Sequence, residues 1–148
     1  MKSDIGKLTE TILDIERSIN ERWNKGDCYG FLDTYSDDIT YFDPLTERIL
    51  VGHDAVVKHI SKLYKNPNIV RSEYLNPEVV FSDAGDLAVL SYNLRNFIAA
   101  ENGGEKLVRE WNSTEVYKLM DGKWRIANSH WSLMNHPKIK QIMSGSAS

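Results

Sequence analysis

An α+β domain, with helices first and a cone-shaped, curved antiparallel sheet wrapped around them, is the fold class this sequence predicts. Three observations predict it. Apolar residues recur at helical spacing as far as Leu63, alternate with period two from Ile69 onward, and in that second half are broken by three hairpin-type turns. At 148 residues, with 41% hydrophobic and 26% charged content, the chain is long enough to bury one core without staples. We therefore expect one domain over residues 1–143 and a disordered Ser-Gly-Ser-Ala-Ser tail over residues 144–148.

In the first element Ile5, Leu8, Ile12, Ile15, Ile19 and Trp23 form an apolar stripe, separated by charged residues that include Glu10, Asp14, Glu16 and Arg17. That helix should end near Lys25-Gly26. Asp27 then caps a short helix whose apolar side is Cys28, Phe31, Leu32 and Tyr35, and Ser36-Asp37-Asp38 marks its end. A strand from Ile39 to Asp43, a turn at Leu45-Thr46-Glu47 and a second short strand from Arg48 to Val51 follow. Asp54 caps a third helix carrying Val56, Val57, Ile60, Leu63 and Tyr64, which Asn66-Pro67-Asn68 stops.

The second half is a meander. Ile69 to Ser82 reads as a strand interrupted at Asn76-Pro77, where the missing amide requires an edge position or a bulge. Asp83-Ala84-Gly85-Asp86 leads into Leu87 to Ala100, Asn102-Gly103-Gly104 into Glu105 to Leu119, and Asp121-Gly122 into Lys123 to Leu133. His136-Pro137 ends it. Strands this long must curl, and curling around the first helix leaves an open mouth where a ligand can enter.

A net charge of −3 with no Lys/Arg run gives no reason to expect nucleic acid or an anionic membrane as partner. Cys28 is the single cysteine, so no intrachain disulfide forms, and its neighbours Asp27 and Tyr29 offer no cation to activate a thiolate. The N-terminal residues lack a signal-peptide core, and no segment approaches the ~18 apolar residues of a membrane span, so a cytoplasmic location is expected. His53, His59 and His136 are scattered, and none has a partner at metal-ligand spacing; neither a metal nor a cofactor is expected.

The order helix, Gly26-Asp27, short helix, Tyr-Ser-Asp-Asp-Ile-Thr-Tyr-Phe-Asp-Pro, Val-Gly-His-Asp-Ala-Val and Asp-Gly-Lys-Trp-Arg-Ile-Ala-Asn-Ser-His-Trp-Ser resembles the nuclear-transport-factor-2-like superfamily, with its SnoaL-like and ketosteroid-isomerase-like members. The resemblance covers nearly the whole chain and implies a cystatin-like cone. From Tyr74-Leu-Asn-Pro-Glu-Val-Val through Asp121-Gly-Lys-Trp-Arg-Ile the chain most resembles the association domain of calcium/calmodulin-dependent protein kinase II and its stand-alone bacterial relatives. The superfold hosts enzymes, binders and assembly modules alike, so function must be argued from the site.

Asp43, before Pro44, has two readings. By spacing alone it starts a turn; by resemblance it stands where ketosteroid isomerase carries its general base, facing a pocket. Alternation puts Tyr41 on the same face. The isomerase's oxyanion donors would fall near Ile19 and near Ser113 or Thr114, so neither is present in its usual form. Of the arginines that line the association-domain pocket, one matches Arg95, while the others fall on Glu115 and Trp131. Period two groups Trp111 with Glu115, and the resemblance turns Trp131 inward, against the strict alternation that separates it from His130, so a bulge or a mixed edge is expected there.

The expectation is a homodimeric small-molecule binder whose pocket is lined by Tyr41, Asp43, Arg95, Trp111, Glu115, His130 and Trp131. As an enzyme it would transfer a proton through Asp43 without a cofactor. The competing expectation is an association module that pairs through the sheet, with Leu90, Tyr92, Leu94, Ile98 and Val116 as its outer patch.

Overall fold

The computed structural model describes residues 2–65, 67–134 and 137–145. Helix α1 (Lys2–Asn24) is followed by α2 (Tyr29–Thr34), strands β1 (Tyr35–Phe42) and β2 (Leu50–Val51), and helix α3 (His53–Leu63). Strands β3 (Arg71–Phe81), β4 (Leu87–Ala99), β5 (Glu105–Met120) and β6 (Lys123–Leu133) then form the meander, and α4 (Pro137–Met143) closes the chain. The six strands make one curved, unclosed sheet in the order β2-β1-β6-β5-β4-β3. Its concave face is packed by α1, α2 and α3 around a core that includes Ile12, Ile19, Leu32, Ile39, Ile60, Leu90 and Ile126. None of the described helices is long and apolar enough to cross a membrane.

The meander is antiparallel, as alternation and turns require, but β1 runs parallel to β6. No hairpin fixes that pairing, because the rest of the domain lies between the two strands, so their relative direction was not readable from turns. The sheet strand also starts earlier than expected. Tyr35 already has extended backbone (φ −65°, ψ 138°), so α2 ends at Thr34 and the Ser36-Asp37-Asp38 step lies inside β1. Asp54 sits in the first turn of α3 rather than capping it. The cap position is Gly52, whose φ of 97° only glycine takes freely and whose N–H donates to the Ile39 carbonyl at 2.8 Å.

Both alternatives offered for Asn76-Pro77 occur together. β3 is the sheet edge, and its pairing with β4 slips between Leu75 and Glu78 around Asn76 at φ 55°. A second slip lies between β5 and β6, where Val116 faces Asn128 but Tyr117 faces Ile126, leaving Ala127 as the extra residue. This bulge changes the phase of β6, so that Ile126 and then Ser129 and Trp131 point into the core while His130 points out. Helix α4 has no counterpart in the sequence reading; the proline taken as a stop is its first residue, where a missing N–H is harmless. His136, Asn66 and residues 146–148 of the expected tail lie outside the described residues, while Ser144 and Gly145 close a turn after α4.

The expected outer patch is corrected by burial. Leu90, Tyr92 and Leu94 are core residues against the helices, and their strand neighbours Ser91, Asn93 and Arg95 face outward. The outward face of β4, β5 and β6 is instead a polar ladder, in which Asn93 donates to Asn112 Oδ1 (2.8 Å) and Asn112 to Ser132 Oγ (3.4 Å).

Candidate functional site

Four of the residues read from the sequence meet at one place. Tyr41, Asp43, Trp111 and Trp131 line a cavity of about 60 Å3, with Trp23 from α1, Phe31 from α2, Tyr35 from β1, Ile60 from α3 and Tyr64 just beyond α3 completing the wall. Tyr41 on β1 and Asp43, the residue after its end, follow the period-two face, since Ile39, Tyr41 and Asp43 are all buried. Trp131 reaches the cavity because of the Ala127 bulge, and its Nε1 donates to Ser129 Oγ at 3.0 Å. Trp111 is held by a bond from its Nε1 to Asn96 Oδ1 at 2.7 Å.

Asp43 combines the two readings it was given. Its Oδ1 accepts the N–H groups of Leu45 (2.7 Å) and Thr46 (3.1 Å), which is the turn. Its Oδ2 accepts from Tyr41 OH (2.8 Å), Tyr64 OH (2.9 Å) and His59 Nε2 (2.8 Å), and its side chain is only 2% exposed. Burial pushes its pKa up, but the bonds from His59, Tyr41, the Leu45 amide and Tyr64 outweigh it and hold the carboxyl below the ordinary aspartate value. Asp43 is an ionised carboxylate with every acceptor site used. The same charge, added to desolvation, raises Tyr41 and Tyr64 above the ordinary phenol value, so both remain donors.

His59 and Tyr64 were missed. Tyr64 reads as one more apolar residue of a helix face, and His59 as a stray histidine; their partner lies 16 residues or more upstream, just past the end of β1, so no local spacing links them. 

Deeper in the cone lies a second group. Glu115 is fully buried on β5, with Oε1 accepting from Ser129 Oγ at 2.9 Å. Glu16 of α1 is 2% exposed, its Oε1 accepting from Tyr117 OH at 3.1 Å. Oε2 of each, and Ser113 Oγ, have no hydrogen-bond partner among the described residues. Desolvation raises Glu16 to about 8 against the opposing bonds of Tyr117 and Tyr92. Desolvation and then the charge of Glu16 raise Glu115 well above its ordinary value. Glu16 had been read as a solvated separator on α1. The signal was its position one turn after Ile12 and one turn before Asn20, both of which are buried.

Arg95 and His130 do not join either group. Arg95 faces outward and bonds through Nε to Glu110 Oε1 at 3.0 Å, with Glu73 at 3.9 Å. Its strand alternates as expected, but the apolar side, not the polar side, took the interior. His130 is exposed against the ring of Phe42 at 5.1 Å, displaced to that face by the bulge. Among the described residues no cluster of His, Cys, Asp and Glu is arranged to hold a metal ion.

The model of the SnoaL-like domain family matches residues 15–126. No curated protein matches the chain. Among solved structures, a putative ketosteroid isomerase from Parabacteroides distasonis is 27% identical, with a TM-score of 0.72 over 85% of this chain and 87% of that one. The association domain of C. elegans CaMKII is 16% identical, with a TM-score of 0.72 over 89% of this chain and 99% of that one. An NTF2-like protein of unknown function from Pseudomonas putida is 22% identical, with a TM-score of 0.63 over 93% and 89%.

Proposed function

The chain belongs to the SnoaL-like domain family, and from that premise we propose that it binds a small, partly apolar organic molecule in the cavity beside Asp43. One observation carries this reading: an aromatic-lined cavity of about 60 Å3 with an ionised, immobilised carboxylate in its wall. A site with an apolar body and one fixed polar group is how a fold orients a ligand. Proton abstraction by Asp43 fits the geometry less well. A general base needs a free lone pair and a pKa near the working pH, whereas Asp43 accepts five bonds and is held low.

Titration with a mixed set of small neutral and charged organic fragments, read on the indole N–H signals of Trp111 and Trp131, tests the reading. Saturable shifts at both indoles are expected. No shift with any fragment defeats it.

Assembly is a second reading, favoured by the likeness to the C. elegans CaMKII association domain. In it the outward face of the sheet pairs two copies, or more in a ring, and the polar ladder of Asn93, Asn112 and Ser132 makes that contact hydrogen-bonded rather than apolar. Light scattering decides it: a dimer or larger particle is expected, and a monomer at high concentration rejects it.

A further inference from the structure

We propose that the ligand of this cavity is a small organic cation without N–H donors, a quaternary ammonium head group held by aromatic faces and by the charge of Asp43. The proposal rests on the reading of the cavity as a ligand site and adds the charge class of the ligand.

Seven of the nine lining residues are aromatic, and the only charged one among the described residues is Asp43. The rings form walls rather than a stack. Trp131 stands at 89° to Phe31 and 88° to Trp111, while Trp23 stands at 79° to Phe31 and 62° to Tyr64. The rings meet edge to face, and a cation that reaches an open face of one of them, where the π density is negative, is attracted by it. An anion meets the reverse: negative faces and a carboxylate.

Asp43 is ionised, and Tyr41 and Tyr64, which donate to it, keep their protons, so neither phenol changes the charge at the cavity wall; His59 Nε2 is the third side-chain partner of Oδ2, at 2.8 Å. Phenols that donate to a carboxylate also carry more electron density in their rings, which strengthens the two tyrosine faces. Arg109, which acts electrostatically on Tyr64, is exposed and is not part of the lining. Arg95, the cation that would have suited a carboxylate ligand, is on the opposite face of the sheet, paired with Glu110.

Hydrogen-bond capacity then narrows the cation. A carboxylate offers about four lone-pair sites, and five donors already reach Asp43. A primary ammonium would bring N–H groups that find no open acceptor there. A methylated onium has none to satisfy and needs only the faces and the field.

Calorimetric titration with tetramethylammonium, with the uncharged tert-butanol and with the anionic pivalate, three probes of similar size, tests the charge class on the unaltered protein. Tetramethylammonium is expected to bind about tenfold more tightly than tert-butanol, with pivalate weaker still, and to shift the Trp111 and Trp131 indole signals. Asp43→Asn should abolish the preference for the cation over tert-butanol; Tyr64→Phe, a milder change, should reduce it. The proposal is overturned if tert-butanol or pivalate binds as tightly as the cation, or if none of the three binds. The ligand-site reading fails separately, and only if the wider fragment set also leaves both indoles unmoved.

Discussion

At the mouth of the cone one carboxylate is kept charged, and a few residues deeper two are kept from charging. Asp43 is reached by three side-chain and two backbone donors, whereas Glu16 and Glu115 each have one oxygen bonded and the other without a partner among the described residues. All three are buried, so desolvation acts on each in the same direction. At Asp43 the donors together outweigh desolvation, whereas at Glu16 and Glu115 desolvation prevails and, at Glu115, the charge of Glu16 adds to it. Burial supplies the upward push, and hydrogen bonds and neighbouring charge decide whether it is answered.

The largest expected effect is at the mouth. Asp43→Ala strips the acceptor from Tyr41, Tyr64, His59 and two backbone N–H groups, and should cost about 3 kcal/mol or more in urea unfolding. A loss under about 1 kcal/mol would break the comparison. Tyr64→Phe removes one of these charge-assisted bonds and should cost about 1.5–2 kcal/mol, measurable as a fall in Tm. Asp43 also sets an acid limit: its folded pKa lies below the ordinary value of 3.8, so its contribution is present above that pH and is lost as pH falls through the folded value.

The deep pair has the opposite sign. Glu16 moves from 4.5 to about 8 on folding, so the folded state binds more protons between those values. Stability is therefore full below 4.5 and declines as pH rises toward 8. Glu16→Gln, which keeps the shape and removes the titration, should be more stable than the parent at alkaline pH, near equal to it in acid, and flatter in between. Unfolding curves across that range check it, and a variant less stable than the parent at alkaline pH would show that Glu16 needs its charge.

The smallest effect belongs to Arg95. As half of a partly buried pair with Glu110 on the outward face of the sheet, its replacement by Ala should change stability by about 1 kcal/mol or less and leave binding in the cavity untouched. A lost ligand response would put it back in the site.

Much of this was legible in the sequence, and the reasons for the rest are physical. The change of period at Ile69 gives the meander, and alternation places Tyr41 with Asp43 and Trp111 with Glu115. Alternation says which residues share a face but not which face turns inward; the resemblance to the association domain, not the residue pattern, put Arg95 inside and Leu90, Tyr92 and Leu94 outside. Trp131 needed a bulge whose place at Ala127 no residue type announces. His59 and Tyr64 reach Asp43 only through the packing of α3 on β1, a tertiary contact without local periodicity. Glu16 was hidden by its type: a glutamate among charged neighbours reads as solvated, although its helical phase matches Ile12, Ile19 and Asn20.

The contrast between mouth and depth is tested most directly by following the side-chain carboxyl carbons by NMR across pH. Asp43 is expected to titrate below 3.8, Glu16 near 8, and Glu115 above its ordinary 4.5. An Asp43 carboxyl that titrates above 3.8, or a Glu16 and Glu115 that both ionise by about pH 5, would contradict it.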